Sequence, residues 1–213
     1  KTNLVLNSSF GNAKVDALFD QRIKKQEKYD ANVSLMDFDL GRLIKNDSIG
    51  KITLKAKVKG KGLDPKTAQA ELDGIVQKAV FNRYAYKDLT LKGNISNGSF
   101  AVKSGMKDPN LNFDLTANGN TKDKYPSVKL KLNLDIADLE KLNLHAGPMK
   151  LRGNVDADIA NSNPDFLNGK VFLSNIQILQ EELIVLDSVR VIAFSDNTRN
   201  NIKISSQFLK AEV

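Results

Sequence analysis

Apolar residues recur at every second position over most of this chain. That is the mark of strands with one oily and one wet side, because successive strand side chains point to opposite faces. Ala13, Val15, Ala17 and Phe19 share a parity, as do Tyr29, Ala31, Val33 and Leu35, and Ile52, Leu54, Ala56 and Val58. The longest stripe is Val128, Leu130, Leu132, Leu134 and Ile136, nine residues end to end, with Lys129, Lys131, Asn133 and Asp135 facing away. At about 3.3 Å per residue it predicts a strand of roughly 30 Å. Leu151, Val155, Ala157 and Ile159 continue the theme, with Gly153 in the same parity. A dozen or more strands are expected in sequence.

The residues between the stripes predict antiparallel neighbours. Asn-Gly, a strong hairpin signal, occurs at Asn97-Gly98, Asn118-Gly119 and Asn168-Gly169. Gly60 to Pro65, Asp108-Pro109-Asn110 and Asn163-Pro164 also read as turns. Asp64-Pro65 followed by Ala68, Leu72, Ile75, Val76 and Ala79 fits a capped helix. Yet Ala68, Ala70, Leu72, Gly74, Val76 and Val80 alternate, and Gly74 weakens a helix by about 1 kcal/mol against Ala. A strand is the better reading. Residues 37–43 and 138–142 each look like a single helical turn at a strand end. They lie 99 residues apart, and the same offset pairs Leu35 with Leu134, Ile52 with Leu151, and Pro65 with Pro164. An internal repeat is therefore expected, about 30–65 matching 129–164. The pattern is already running at Leu4-Val5-Leu6 and still running at Val213, so 1–213 reads as one segment of a longer protein.

An antiparallel chain with one apolar face per strand must pack two sheets together, close a barrel, or curl around a ligand. The oily positions are mostly Leu, Val, Ile and Ala, with 7% aromatic residues in the chain and no Trp. Such a lining offers no directional hydrogen bonds. It would hold acyl chains by apolar burial, which contributes about 25 cal/mol per Å² without reading chemical detail. The fold expected is all-β, a long antiparallel sheet curled into a groove with an apolar interior. The groove would be lined by Ile52, Leu54, Val58, Val128, Leu130, Leu132, Leu134, Ile136, Leu151 and Val155.

Composition narrows the chemistry further. The absence of cysteine excludes disulfides and thiol catalysis, and one histidine, His145, cannot supply a multi-histidine metal site. No cofactor or metal is expected. The formal charge of +7 could suggest nucleic acid, but the lysines alternate with apolar residues, as in Lys51 to Lys59, and read as a solvated, edge-protecting strand face. No nucleic-acid partner is expected. Ser8, Ser34 and Ser174 lack a Gly-x-Ser-x-Gly setting, and His145 falls in a loop. Asp37/Asp39 and Asp156/Asp158 stand two apart and read as outer-face charges. Tyr84 and Tyr86 could stack on bases or sugars but read better as two packed rings on one strand face. No phosphate loop is present, and no enzyme is expected.

Residues 60–68, 81–93, 97–100 and 108–111, that is Gly60 to Ala68, Phe81 to Gly93, Asn97-Gly98-Ser99-Phe100 and Asp108-Pro109-Asn110-Leu111, resemble the TamB (translocation and assembly module) proteins of Bacteroidetes-type bacteria, within the AsmA-like family. The resemblance is clearest over residues 30–180 and rests on the order of short patterns. It implies a β-taco, a sheet folded lengthwise with an apolar interior, crossing the periplasm in a protein anchored in the inner membrane. It implies phospholipid as cargo, roles in outer-membrane biogenesis and protein assembly, and an outer-membrane β-barrel partner. The anchor and the barrel contact would lie outside this segment. Arg83 stands where the family pattern leads one to expect a small residue. Two other readings stay open: a β-rich scaffold or adhesin-like spacer with a closed core, and a carbohydrate or anionic-polymer binder using Tyr84, Tyr86 and the lysine rows.

Overall fold

The computed structural model describes residues 2–22, 27–163, 165, 167–195 and 200–212. Pro164 and Val213, used above for the repeat and for the chain end, lie outside them. The chain forms β1 (Thr2–Ser8), β2 (Gly11–Asp20), β3 (Lys28–Asp39), α1 (Leu40–Ile44), β4 (Ile49–Lys61), β5 (Gln69–Phe81), β6 (Tyr84–Ser96) and β7 (Ser99–Asp108). It continues with β8 (Leu111–Asn120), β9 (Ser127–Asp138), β10 (Lys150–Asn161), β11 (Asn168–Leu179), β12 (Leu183–Ser195), β13 (Asn200–Ser206) and β14 (Lys210–Glu212). All fourteen strands make one antiparallel sheet in sequence order, and β1 does not close onto β14. This is the expected all-β architecture, an open curled sheet with one short helix among the described residues.

Each strand pairs only with its sequence neighbours, so the described strands make a single hydrogen-bonded sheet and few apolar side chains are fully buried. The buried apolar residues among those described are Phe38, Ala68, Met106, Ala137, Leu142, Ala157 and Ala193, four of them alanines. The accessible surface is 14116 Å². The chain weighs 23.5 kDa. A compact monomer of that mass would expose about 9800 Å². The excess of roughly 4300 Å² is the consequence of a sheet without a covering layer.

Local chemistry explains the connections. Asn97 and Gly98 both take positive φ, 48° and 85°. A type I′ two-residue hairpin between twisted strands requires this of both central residues. The other two Asn-Gly pairs are not turns: Asn118-Gly119 lies inside β8 and Asn168-Gly169 opens β11. A Cβ on Gly119 would collide with the Ser127 carbonyl oxygen and sit 2.9 Å from the Phe100 ring, so this glycine admits a neighbour and turns nothing. The matching hairpin between β5 and β6 instead uses Asn82 (φ 46°) and Arg83 (φ 64°). Residues 69–81 are strand, as the alternation suggested.

Of the two expected helical turns, the first is α1. The Asp39 side chain accepts from the Arg42 N–H at 3.0 Å, and Lys45 closes the helix at φ 57°. A side-chain acceptor at that position satisfies one of the amides a helix start leaves open. Gly41 lets α1 tuck against β4, since a Cβ there would collide with the Ile49 oxygen. The second is a hydrogen-bonded turn without a helix, with the same cap: Asp138 accepts from the Lys141 N–H at 3.2 Å. Asp37 and Asp39 do not form a shared acidic face, because Asp37 sits at φ 48° and Asp39 is spent on the cap.

Ladder pairs in β3–β5 recur in β9–β11 at a constant offset of 99. Val33, Ala56 and Gly74 stand in register, as do Leu132, Val155 and Leu173. Phe38 opposite Ile52 corresponds to Ala137 opposite Leu151, and Asp39 opposite Lys51 to Asp138 opposite Lys150.

Candidate binding surface

The register assembles the strand stripes into lanes that run across the sheet. One lane passes from Ala17 through Ala31, Val58 and Leu72 to Leu130, Ala157, Val171 and Ala211, and every position from β2 to β14 is apolar or glycine. A second runs through Val33, Leu115, Leu132, Val155 and Leu173. Between β2 and β12 its one polar member is Ser104, which donates to the Thr90 carbonyl at 2.9 Å and presents no free hydroxyl proton. A third contains Leu35, Leu54, Leu89 and Leu134, and a fourth Ile95, Val128 and Ile159. Four lanes spaced two residues apart are about 20 Å wide, and thirteen strands at about 4.8 Å are roughly 58 Å long. Only the central lane runs the whole of that length, so the band tapers from four lanes to one toward β14.

All ten expected lining residues are half-buried. Eight fall in register on this apolar face with the lanes or beside them: Leu54, Val58, Val128, Leu130, Leu132, Leu134, Val155 and, past the bulge, Ile52 opposite Phe38. Leu151 joins them opposite Ala137. Ile136 departs from the stripe. The register slips at Asn112/Phe113, so Ile136 stands opposite Asn112 while Ala137 takes the apolar position opposite Leu111. The unbroken alternation from 128 to 136 thus hides an irregularity that moves the last side chain out of line. Sequence reasoning missed Leu72, Leu89, Leu115, Val171 and Leu173; the cross-strand register, which periodicity within one strand does not contain, brings them in.

The opposite face is exposed and mostly polar, with Leu18, Ile75, Phe172 and Phe194 as exposed apolar exceptions. Lys129 pairs with Asp158 at 3.1 Å and Lys131 with Asp156 at 3.5 Å, so the acidic pair of β10 is spent on its neighbour strand. Among the described residues no group of His, Asp and Glu could hold a metal ion. His145 is exposed in the connection after β9, its Nδ1 3.2 Å from the Gly147 oxygen.

The most buried charged group is Asp108, 1% exposed at the β7–β8 turn. Its carboxylate accepts from the Tyr84 hydroxyl at 2.5 Å, the Asn110 N–H at 2.9 Å and the Lys87 N–H at 3.1 Å. Asn110 Nδ2 in turn donates to the Tyr84 oxygen at 3.0 Å. Tyr84 and Tyr86 meet edge to face at 4.8 Å. Burial first, and then the adjacent Asp108, push the Tyr84 phenol above its ordinary value; burial does the same to Tyr86. A carboxylate whose acceptor sites are filled this way clamps one sheet margin, and the two rings pack on each other. No helix among the described residues is long and apolar enough to cross a membrane.

No family model, no curated protein and no solved structure matches this chain. The fold and surface define a class on their own: an open antiparallel sheet, one face a continuous apolar band and the other a polar one.

Proposed function

We propose that this chain is a segment of a non-enzymatic lipid conduit of the TamB/AsmA-like kind, its apolar band carrying phospholipid acyl chains across the periplasm between inner and outer membranes in support of outer-membrane biogenesis. The observation that carries this reading is the band itself, thirteen strands long, uninterrupted by charge along its central lane and uncovered by any described layer. Apolar burial is non-directional, so a surface of Leu, Val and Ala suits a mixture of acyl chains. The open order of the sheet, with β1 and β14 at opposite edges, supports an accessible apolar face over a closed-core scaffold. The inner-membrane anchor and the outer-membrane β-barrel contact belong to other parts of the protein.

A photoreactive residue placed at Leu132 should capture phospholipid in cells, and one at Lys131, its neighbour on the other face, should not. Capture from Lys131 alone, or from neither, would overturn the proposal.

A further inference from the structure

We propose that the polar face over β4–β8 is a docking site for an acidic polysaccharide chain. Its lysines lie on the face opposite the apolar band, whose Leu72 and Val102 also border the depression, and the two proposals rest on different side chains, so either can fail alone. A depression of about 730 Å³ opens there, with Lys57, Lys59, Lys92 and Lys103 around it and Asn94 and Thr116 among its lining. No aromatic ring lines it, so it offers no platform for stacked bases.

The charge pattern singles this region out. In β9 and β10 each of the lysines 129 and 131 is answered by its own aspartate, Lys129 by Asp158 and Lys131 by Asp156. The depression has two carboxylates, Glu71 and Asp73, for its four lysines, and a third, Asp30, stands across the ladder from Lys59. Asp73 stands across the ladder from both Lys57 and Lys92 and is held by Lys92, at 3.1 Å. Glu71 stands opposite Lys59 without forming an ion pair, and Lys103 has Lys92 on one side and Thr116 on the other. Like charges directly opposite each other destabilise a sheet. Three such pairs occur in the described ladders, Lys28 with Lys61, Lys78 with Lys87 and Lys92 with Lys103, and all fall between β3 and β7. No two carboxylates oppose each other in any described pair, so the repulsion the ladders tolerate is of one sign. Surplus cations beside neutral amide and hydroxyl groups match a chain that carries both carboxylates and hydroxyls.

The test uses the whole chain with polygalacturonate as probe, dextran as its uncharged counterpart, and phosphatidylglycerol vesicles as a membrane surface. Polygalacturonate should bind with an affinity that falls steeply with salt, and dextran should not bind. The double variant Lys57→Gln/Lys103→Gln should weaken binding at least tenfold. Lys129→Gln/Lys131→Gln, which removes the same charge from the same face, should weaken it less than twofold. Lys103→Gln alone should raise the melting temperature by relieving Lys92, which separates lost binding from lost folding. Equal weakening by the two double variants, absent binding, or preference for the vesicles over polygalacturonate would each overturn the proposal.

Discussion

Replacing Leu132 by glutamate asks whether the apolar face is open to solvent or sealed. Leu132 stands between Leu115 and Val155 in its lane and is half-buried. Full burial of a leucine is worth about 1.5–3 kcal/mol, so a half-buried one contributes about 1 kcal/mol. Its two cross-strand contacts add about 0.2–1 kcal/mol each. On an open face Leu132→Glu should therefore cost about 1.4–3 kcal/mol, with the new carboxylate left in water. In a sealed core the same change would bury an unpaired charge and leave a cavity, which together exceed about 5 kcal/mol. Urea unfolding followed by circular dichroism distinguishes these. With a slope of about 2–3 kcal/mol per molar, the open face predicts a midpoint lowered by about 0.5–1.5 M. The Lys131–Asp156 pair on the polar face is 3.5 Å long with side chains 77% and 55% exposed. Lys131→Glu should accordingly change stability by less than about 1 kcal/mol. A Leu132→Glu protein that does not fold, or that loses more than about 4 kcal/mol, would refute the open face and the conduit with it.

Asp108→Ala should cost about 3 kcal/mol in chemical denaturation, since three donors lose a buried acceptor, whereas Tyr84→Phe should cost about 1 kcal/mol. Tyr84 and Tyr86 titrate above their ordinary value of 10.0 in the folded protein. The stability they contribute is therefore intact below that pH and lost as pH rises through the raised values. Melting temperature measured upward from about pH 9 should fall less steeply in Tyr84→Phe than in the parent, and identical slopes would count against the buried phenol. Arg83 is held in the left-handed region, at φ 64°. Arg83→Gly should raise stability by about 0.5 kcal/mol in urea, because a residue without a Cβ avoids that strain. Gly41→Ala should lower it by at least about 2 kcal/mol. The added methyl would collide with the Ile49 oxygen and displace α1.

How much of this was legible in the chain follows from what each signal measures. Alternation within a strand records which side chains share a face, so it suffices to place Leu54, Val58, Leu130, Leu132 and Val155 on the apolar side. It carries no information about which strands are neighbours, and so Leu115 and Leu173, which flank Leu132 and Val155 in the same lane, were invisible. Irregularities defeat it in a different way: Ile136 keeps its parity in the sequence but loses it in space, because the ladder skips Asp135. The hairpin signals erred for a physical reason as well. Asn-Gly marks tolerance of positive φ, and at Gly119 the absence of a Cβ serves a close approach, while Asn82-Arg83 makes the turn without the glycine that would announce it.

The constant offset of 99 has an energetic meaning that the lane geometry makes concrete. A sheet in which every strand meets only its sequence neighbours gains stability by nearest-neighbour terms, so a unit that fits its neighbour once fits it again when repeated. Matching register is what keeps a lane continuous from one unit to the next. A slip of one residue between β8 and β9 would turn Leu130 and Leu132 to the wet side and bring Lys129 and Lys131 into the band. The bulges at Leu35/Phe38 and at Leu151/Gly153 occur at equivalent places in the two units, so the slips they introduce are matched and the lanes stay aligned. A single-residue deletion in β9, such as removal of Asn133, therefore tests lane continuity directly. It should shift the residues before it out of register with β8 and β10, and accessibility labelling of a cysteine at position 130 should then report the polar face. Unchanged labelling would mean that the lanes do not depend on register, and a continuous apolar path would have no structural basis.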